Sequence, residues 1–512
     1  MDYRQKMEPA KRIIVNTLAQ YSKAVINIGL SLYSTRLILL ALNISDFGIY
    51  SVIGGVVAML GFITNSLVIT TQRFISFYHG RGDHAYVSKI FNNSLLLHIV
   101  FGLIIAAILV ILKGWLFSDV LNIPPTRIET AGKVYLITIA ILFVTISTAP
   151  FKALFIAREN IVYISVVEVC DGIIKLLFAI ALTYVTTDRL LVYAVMMCCI
   201  QILNFLAFAI YGRMRFEECS LTIHKHDISR DILSKLMGFA GWTIYSMGTL
   251  TARNQGTAII INHFVGTIAN AAYGVAAQVN AAIFFVSSSI INAMNPQIMK
   301  AEGEGNRQRV LRLAGQESKY STILLALAAI PILVELPNIL SVWLKEVPEN
   351  TAMFCTFTLI TCLVDQMTIG LNAVNRAQGK IGLYTLVMFT PKLLCLPIGW
   401  WLLQTGHSLA SVMWAILIVE AITSIARLPY LKFSAGLDIA GFLHQSVLPV
   451  VPISGALVAF SWGCTQVMHF PFRFLVTIAL SVLFGLVVVW YFTLNINERH
   501  FIKKTVMSKI AR

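Results

Sequence analysis

Charge is what this chain has least of: Asp, Glu, Lys and Arg make up 12% of its 512 residues, where a soluble globular domain carries about 25%. So few charged groups cannot cover a soluble globule of this length, which excludes that class. Carboxylates are the scarcer sign, 24 against 39 Lys and Arg. No Ser/His/Asp set, metal cluster or nucleotide motif occurs, and the loops on one face are too short to house a catalytic domain. The chain is therefore not expected to be an enzyme or to hold a cofactor, and ATP-driven work would need another subunit. The eight cysteines (Cys170, Cys198, Cys199, Cys219, Cys355, Cys362, Cys395, Cys464) show no C-x-x-C spacing, so zinc and dithiol redox chemistry are not expected either. They read as buried free thiols. No small-residue cleavage site follows the polar start Met1 to Arg12, so the first helix is expected to stay in the membrane.

What is abundant is apolar. Hydrophobic residues make up 57% of the chain and mean hydropathy is +0.78, in repeated stretches about twenty residues long, the length a helix needs to cross a bilayer. The fold class expected is all-α and polytopic, with about fourteen transmembrane helices. Apolar runs bounded by charge, Gly, Pro or Asn place them at roughly 14–42, 47–75, 89–112, 132–156, 161–185 and 190–212, then 236–262, 267–298, 318–343, 352–376, 381–404, 408–430, 444–464 and 472–494.

The formal net charge of +15 reads as a topology signal rather than a nucleic-acid surface. With the N-terminus inside, the cytoplasmic arm, loops and tail carry 28 Lys and Arg, and the opposite face carries 6. Such a skew is the positive-inside pattern. It implies an even number of spans and two cytoplasmic termini.

An internal repeat organises the chain. At an offset of 223, Asp46 to Asp83 aligns without gaps on Ala269 to Asn306, matching Tyr50 with Tyr273, Val52 with Val275, Ile75 with Ile298, Gly80 with Gly303 and Gly82 with Gly305. Two parallel six-helix lobes follow, 1–212 and 236–430, joined by a connector over 213–235. The segment 431–512 adds two helices and a basic tail. Parallel repeats of this kind place a substrate site between the halves.

The charges inside expected helices are the candidate functional residues. On helix 1, Asn16, Gln20, Lys23, Asn27 and Ser34 return to one face of a 3.6-residue helix, whereas Arg36 points away and reads as snorkelling to the interface. Helix 7 repeats the device with Ser246, Arg253 and Thr257. Lys23, Asn27 and Arg253, with Lys392 between Pro391 and Pro397 in a kinked helix 11, are the substrate-binding candidates. Their cations either line an anion site or clamp neighbouring carboxylates. Glu168, Asp171 and Lys175 on helix 5 form either a mutually neutralised trio or an ion-coupling group. Asp365 and Glu420 stand as isolated carboxylates, fitted to H+ or Na+ coupling or to a buried hydrogen bond. His224 to His226 read as solvated, no resident metal is expected, and the two Gly-x-Gly sequences read as turns.

The segments "DFGIYSVIGGVV", "TTQRFISFYHGRGD" and "NPQIMKAEGEGN" resemble the corresponding parts of bacterial lipopolysaccharide and polysaccharide exporters of the multidrug/oligosaccharidyl-lipid/polysaccharide (MOP) flippase superfamily, and the resemblance covers nearly the whole chain. It implies an inner-membrane flippase of two six-helix lobes plus two C-terminal helices. The substrate it implies is an undecaprenyl-diphosphate-linked oligosaccharide moved outward by alternating access, with a cationic cavity for the diphosphate or acidic sugars. Such a protein would serve O-antigen or other surface polysaccharide biosynthesis, with the lipid-linked oligosaccharide, membrane lipids and other polysaccharide assembly proteins as its partners. A drug or metabolite antiporter of the same architecture is the alternative, and a membrane-embedded glycan polymerase or transferase a more distant one. A cationic drug needs an inward carboxylate, which helices 1 and 7 lack.

Overall fold

The computed structural model describes residues 9–58, 60–120, 123–219, 227–344, 346–493 and 499. His224 to His226 lie outside the described residues. Among those described there are helices and turns and no strands. The first compact unit, Ile14–Met247, contains α1 (Pro9–Ala58), α2 (Gly61–Gly80), α3 (His84–Trp115), α4 (Ile128–Ala157), α5 (Ile161–Thr183), α6 (Arg189–Arg215) and the first half of α7 (Arg230–Val265). The second comprises the remainder: the rest of α7, α8 (Thr267–Gly303), α9 (Arg307–Val334), α10 (Leu336–Trp343), α11 (Thr351–Gln366), α12 (Ile369–Gln378), α13 (Ile381–Leu393), α14 (Cys395–Gln404), α15 (Leu409–Ala435), α16 (Ile439–Phe442), α17 (Val450–Val467) and α18 (Arg473–Val488).

Each of the fourteen expected segments coincides with helix, but not each is apolar enough to qualify as a span unaided. Among the described residues, ten are long and apolar enough to cross a membrane, and eleven when α11 and α12, bent by 48°, count together. The other three are the expected segments 47–75, 161–185 and 236–262. The first is interrupted between Ala58 and Gly61, the second carries Glu168, Asp171 and Lys175, and the third carries Arg253 among amides and hydroxyls.

Breaks fall where the local chemistry asks for them. Within α1 the backbone turns at Asn43 (φ 64°, ψ 169°), between the first two expected helices, and the Asn43 Oδ1 accepts the Asp46 N–H at 3.1 Å. Asn takes positive φ more readily than other side-chain-bearing residues because its short amide bonds locally. Helix 11 is interrupted between α13 and α14 at Leu394, whose N–H bonds the Pro391 carbonyl at 3.0 Å, yet the two pieces run on as one span, Ile381–Gln404.

The repeat is visible bond for bond at two turns. After α2, the N–H groups of Arg81, Gly82 and Asp83 donate to the carbonyls of Phe77, His79 and Tyr78; after α8, those of Glu304, Gly305 and Asn306 donate to Lys300, Glu302 and Ala301. Every partner shifts by the same offset of 223. Gly82 and Gly305 both sit at φ 75°, a region open to glycine and strained for other residues. Asp83 and Asn306 then cap the next helix, each accepting at 3.0 Å from the N–H three residues on.

In the first unit α4 is the central helix, packed against α2, α3, α5 and α6. In the second, α9 packs against α8, α11, α12, α17 and α18, so both added C-terminal helices dock on it. All eight cysteines are free. The expectation that they are buried holds for Cys219, Cys355 and Cys395 and is corrected for Cys170 and Cys199, which are exposed on α5 and α6, while Cys198, Cys362 and Cys464 are half-buried.

The tightest helix approach is at Gly370, where a Cβ would sit 2.0 Å from the Ala314 carbonyl oxygen and the Gly370 N–H bonds Ser318 Oγ at 3.0 Å. Backbone cannot swing aside as a side chain can. Gly370→Ala is expected to lower stability by about 3 kcal/mol, the upper end for overpacking. Gly274→Ala, where a Cβ meets nothing within 4 Å, is expected to leave it unchanged. Thermal unfolding of the two purified variants against the parent checks this; equal midpoints would refute the close-approach argument.

Candidate functional site

An ionised side chain placed mid-helix toward lipid costs about 2.5–3.5 kcal/mol on insertion scales, so the partners of the intramembrane charges decide what they can do. In the first unit the polar face of α1 turns inward: Asn16, Gln20 and Ser34 are buried. Asn16 Nδ2 donates to the Glu159 carbonyl at 2.9 Å, and Lys23 Nζ meets Glu168 Oε2 at 2.6 Å. Asn27 Nδ2 donates to the Glu168 carbonyl at 3.3 Å. Gly172 makes this approach possible, since a Cβ there would lie 3.0 Å from Asn27 Oδ1 and Leu30 Cδ1.

Glu168 is shared. Lys152 of α4 reaches its other oxygen, Oε1, at 2.6 Å, so one carboxylate holds two ammonium groups. The expected trio of Glu168, Asp171 and Lys175 is thereby corrected. Asp171 and Lys175 do pair, at 2.7 Å, and Asp171 also accepts from Asn204 Nδ2 of α6 at 3.0 Å. Glu168 belongs instead to the facing helices. The three-residue step to Asp171 leaves the two about 60° apart around α5, and Glu168 meets α1 and α4 where Asp171 meets α6.

The second unit builds a similar clamp from different helices. Arg253 of α7 meets Glu420 Oε2 of α15 at 2.7 Å, and Lys392 of α13 pairs with Glu420 Oε1. Arg427, one of the largest fully buried side chains, bonds Asp365 Oδ1 at 2.5 Å and lies 3.9 Å from Glu420. It also donates to Thr368 Oγ1 at 3.1 Å. Asp365 and Glu420 are therefore not isolated, as expected from the sequence, but central to one network. Arg376 and the buried Glu317 interact beside it.

Two of these cations went unrecognised in the sequence because Lys152 and Arg427 lie within about two turns of helix ends and count with the cytoplasmic loops there. Their signal was spacing: Arg427 follows Glu420 by seven residues, two turns on the same face. A second unrecognised group lies at the end of the first unit, where ligand atoms of His79, His84 and Glu218 fall within 4.8 Å of one another. Arg158 occupies that space, bonding the His79 ring nitrogens at 3.0 and 3.1 Å and pairing with Glu218. Burial holds its guanidinium pKa down to about 10, still fully charged at neutral pH. These residues would have to release Arg158 to take a metal.

At the opposite end of the same unit Arg127 forks between two carboxylates, Asp46 at 2.7 and 2.9 Å and Asp188 at 3.0 Å. It ties the turn after Asn43 to the start of α6, where Asp188 is the cap.

Solved structures similar to the chain include transporters. An outward-facing multidrug-resistance MATE family transporter of the MOP superfamily superposes with a TM-score of 0.72 at 13% identity, over 85% of this chain and 97% of that one. A MOP superfamily transporter from Pyrococcus furiosus, described as having a binding pocket of reverse polarity that suggests a different function, gives 0.68 at 13% over 85% and 97%. A mutant Vibrio cholerae MATE transporter gives 0.69 at 17% over 84% and 98%. No protein-family model matches the sequence, and no curated protein does. The chain thus has the fold of MATE transporters of the MOP superfamily and is a multi-pass membrane protein. The part of it left unmatched is about as long as segment 431–512.

Two measurements follow. Glu420→Gln strips Arg253 and Lys392 of their shared carboxylate, and removing one partner of a buried pair costs about 3–5 kcal/mol; a marked drop in the unfolding midpoint is expected, partly restored in Glu420→Gln/Lys392→Met. A double variant no better than the single one would contradict the clamp. Burial works against the Asp188 charge, but hydrogen bonds from Arg127 and Thr130 outweigh it and hold its carboxyl below the usual range. Because the folded pKa is the lower, its contribution is full above the unfolded value of about 3.9 and is lost as pH falls through the folded value. Asp188→Asn is expected to narrow the gap to the parent protein below about pH 4, read by unfolding midpoints across pH; a constant gap would rule the latch out.

Proposed function

We propose that this chain transports an anionic amphiphile, and more specifically that it is a flippase moving undecaprenyl-diphosphate-linked oligosaccharide outward across the inner membrane by alternating access. One observation carries the reading: each unit's intramembrane cluster has one more cation than carboxylate. Lys23, Lys152 and Lys175 face Glu168 and Asp171 in one; Arg253, Lys392 and Arg427 face Glu420 and Asp365 in the other. An excess positive charge away from water favours a negative ligand and disfavours a cationic one. The described pocket of reverse polarity in the Pyrococcus furiosus transporter is support of the same kind.

The carboxylates Glu168, Asp171, Asp365 and Glu420, with Lys175, are the groups through which H+ or Na+ would couple, since neutralising any of them alters the charge available to the ligand. Cytoplasmic termini fit the distribution of Lys and Arg over the loops. O-antigen or another surface polysaccharide is the pathway such a substrate would serve.

A second reading has its own support. The multidrug-resistance and MATE transporters among the solved neighbours favour an ion-coupled drug or metabolite antiporter at least as well on fold alone. The two readings part on ligand charge. Purified protein in vesicles, given labelled lipid-linked oligosaccharide under an imposed proton or sodium gradient, is expected to move the label across, with Lys23→Ala/Arg253→Ala reducing the rate at least tenfold. Gradient-driven movement of a cationic dye with no movement of the glycan lipid would overturn the flippase reading in favour of the antiporter.

A further inference from the structure

The two clamps differ in access. In the second unit Lys392 and Glu420 are 4% and 3% exposed and Arg253 14%, so the clamp on Glu420 itself is closed, and only Asp365 beside it is open, at 25%. In the first unit Glu168 is 29% exposed and Lys152 38% exposed, with Lys23 at 18%. Charged groups that open to their surroundings inside a membrane protein face water-filled space rather than lipid. This cluster can therefore be reached by a ligand from outside the packed helices.

Its depth is informative as well. Lys152 lies five residues before the end of α4 at Ala157, and Glu168 seven residues after the start of α5 at Ile161, which at 1.5 Å per residue is on the order of 10 Å from the helix ends. That is the end at which α4 passes into α5, the side carrying the surplus of Lys and Arg. A headgroup arriving from that side meets these residues early.

The geometry around Glu168 is that of a bound anion. One oxygen is met by Lys23 and the other by Lys152, each at 2.6 Å, the spacing of charge-assisted hydrogen bonds to a carboxylate or a phosphate. We infer that Glu168 is a built-in stand-in for the substrate's phosphate, and that an incoming diphosphate displaces it from Lys23 and Lys152, which makes Lys152 a substrate-binding residue. The inference rests on the anionic-substrate reading and deepens it.

Displacement sets the affinity at a difference between two anions. A diphosphate offers several oxygens and more charge than the single carboxylate, so it wins the two ammonium groups. Glu168 returns to them when the ligand leaves. The lysines are thus never left unpaired in the membrane at either stage, and release is helped by a competitor already attached to the chain. Glu168 acts on specificity by setting a threshold: an anion with no more charge than a carboxylate gains nothing by exchange.

The test uses the full-length protein in nanodiscs and farnesyl diphosphate as the probe, with binding followed by thermophoresis. Glu168→Gln removes the competing charge and keeps the side-chain size, so it is expected to bind the probe about tenfold tighter than the parent. Lys152→Ala is expected to bind at least tenfold weaker, and Lys133→Ala, on an exposed pair with Glu129 elsewhere on α4, no differently. Glu168→Gln/Lys152→Ala is expected to lose the gain, which separates competition from a general loosening of the fold. Unchanged or weaker binding in Glu168→Gln, with normal binding by the parent, overturns the stand-in and leaves the anionic-substrate reading intact. No diphosphate binding by the parent or by Glu168→Gln overturns both.

Discussion

Everything in this structure depends on charged side chains finding partners where water cannot serve them. A bilayer-spanning helix tolerates an ionised residue only if an opposite charge, a polar neighbour or a wet cavity stands beside it. Here the solution is a carboxylate held between two cations: Glu168 between Lys23 and Lys152, and Glu420 between Arg253 and Lys392. Glu168 and Glu420 are each shared by two cations, and the surplus of positive charge is left to define what the protein can carry.

The two clamps share a principle without sharing positions. In the first unit the carboxylate lies on the fifth helix and its cations on the first and fourth. In the second it lies on α15, with cations from α7 and α13. The backbone repeat has been kept at the turns after α2 and α8, where three hydrogen bonds correspond partner for partner. The side-chain electrostatics have diverged around it. Turn geometry is fixed by glycine and a capping residue, which few alternatives satisfy, whereas any facing pair of helices can supply a salt bridge.

Much of the fold was legible in the sequence, because apolar length and breaker residues act locally. The Asn43 break, the interruption after Pro391 and the paired Gly82 and Gly305 turns could all be read from neighbours in the chain. The inward polar face of α1 was legible too, through its 3.6-residue period. What could not be read was partnership across helices. Glu168 reads as the companion of Asp171 and Lys175 because they are near in sequence, while its actual partners lie 145 and 16 residues away. Asp365 and Glu420 looked solitary for the same reason, and Lys152 and Arg427 were hidden by their closeness to helix ends. Periodicity shows which way a residue faces; it does not show what faces back.

The pair of helices that follows the repeat is secured by a detail that makes it more than an appendage. Glu335, fully buried at the end of α9, receives Arg473 at 3.1 Å and Thr477 at 2.8 Å from α18. Lys319, further along α9, donates to the Thr493 carbonyl at 3.0 Å just beyond α18. Without α18 the Glu335 carboxylate would be buried with no counter-charge, so the last two helices are tied to the repeat by electrostatics as well as by packing.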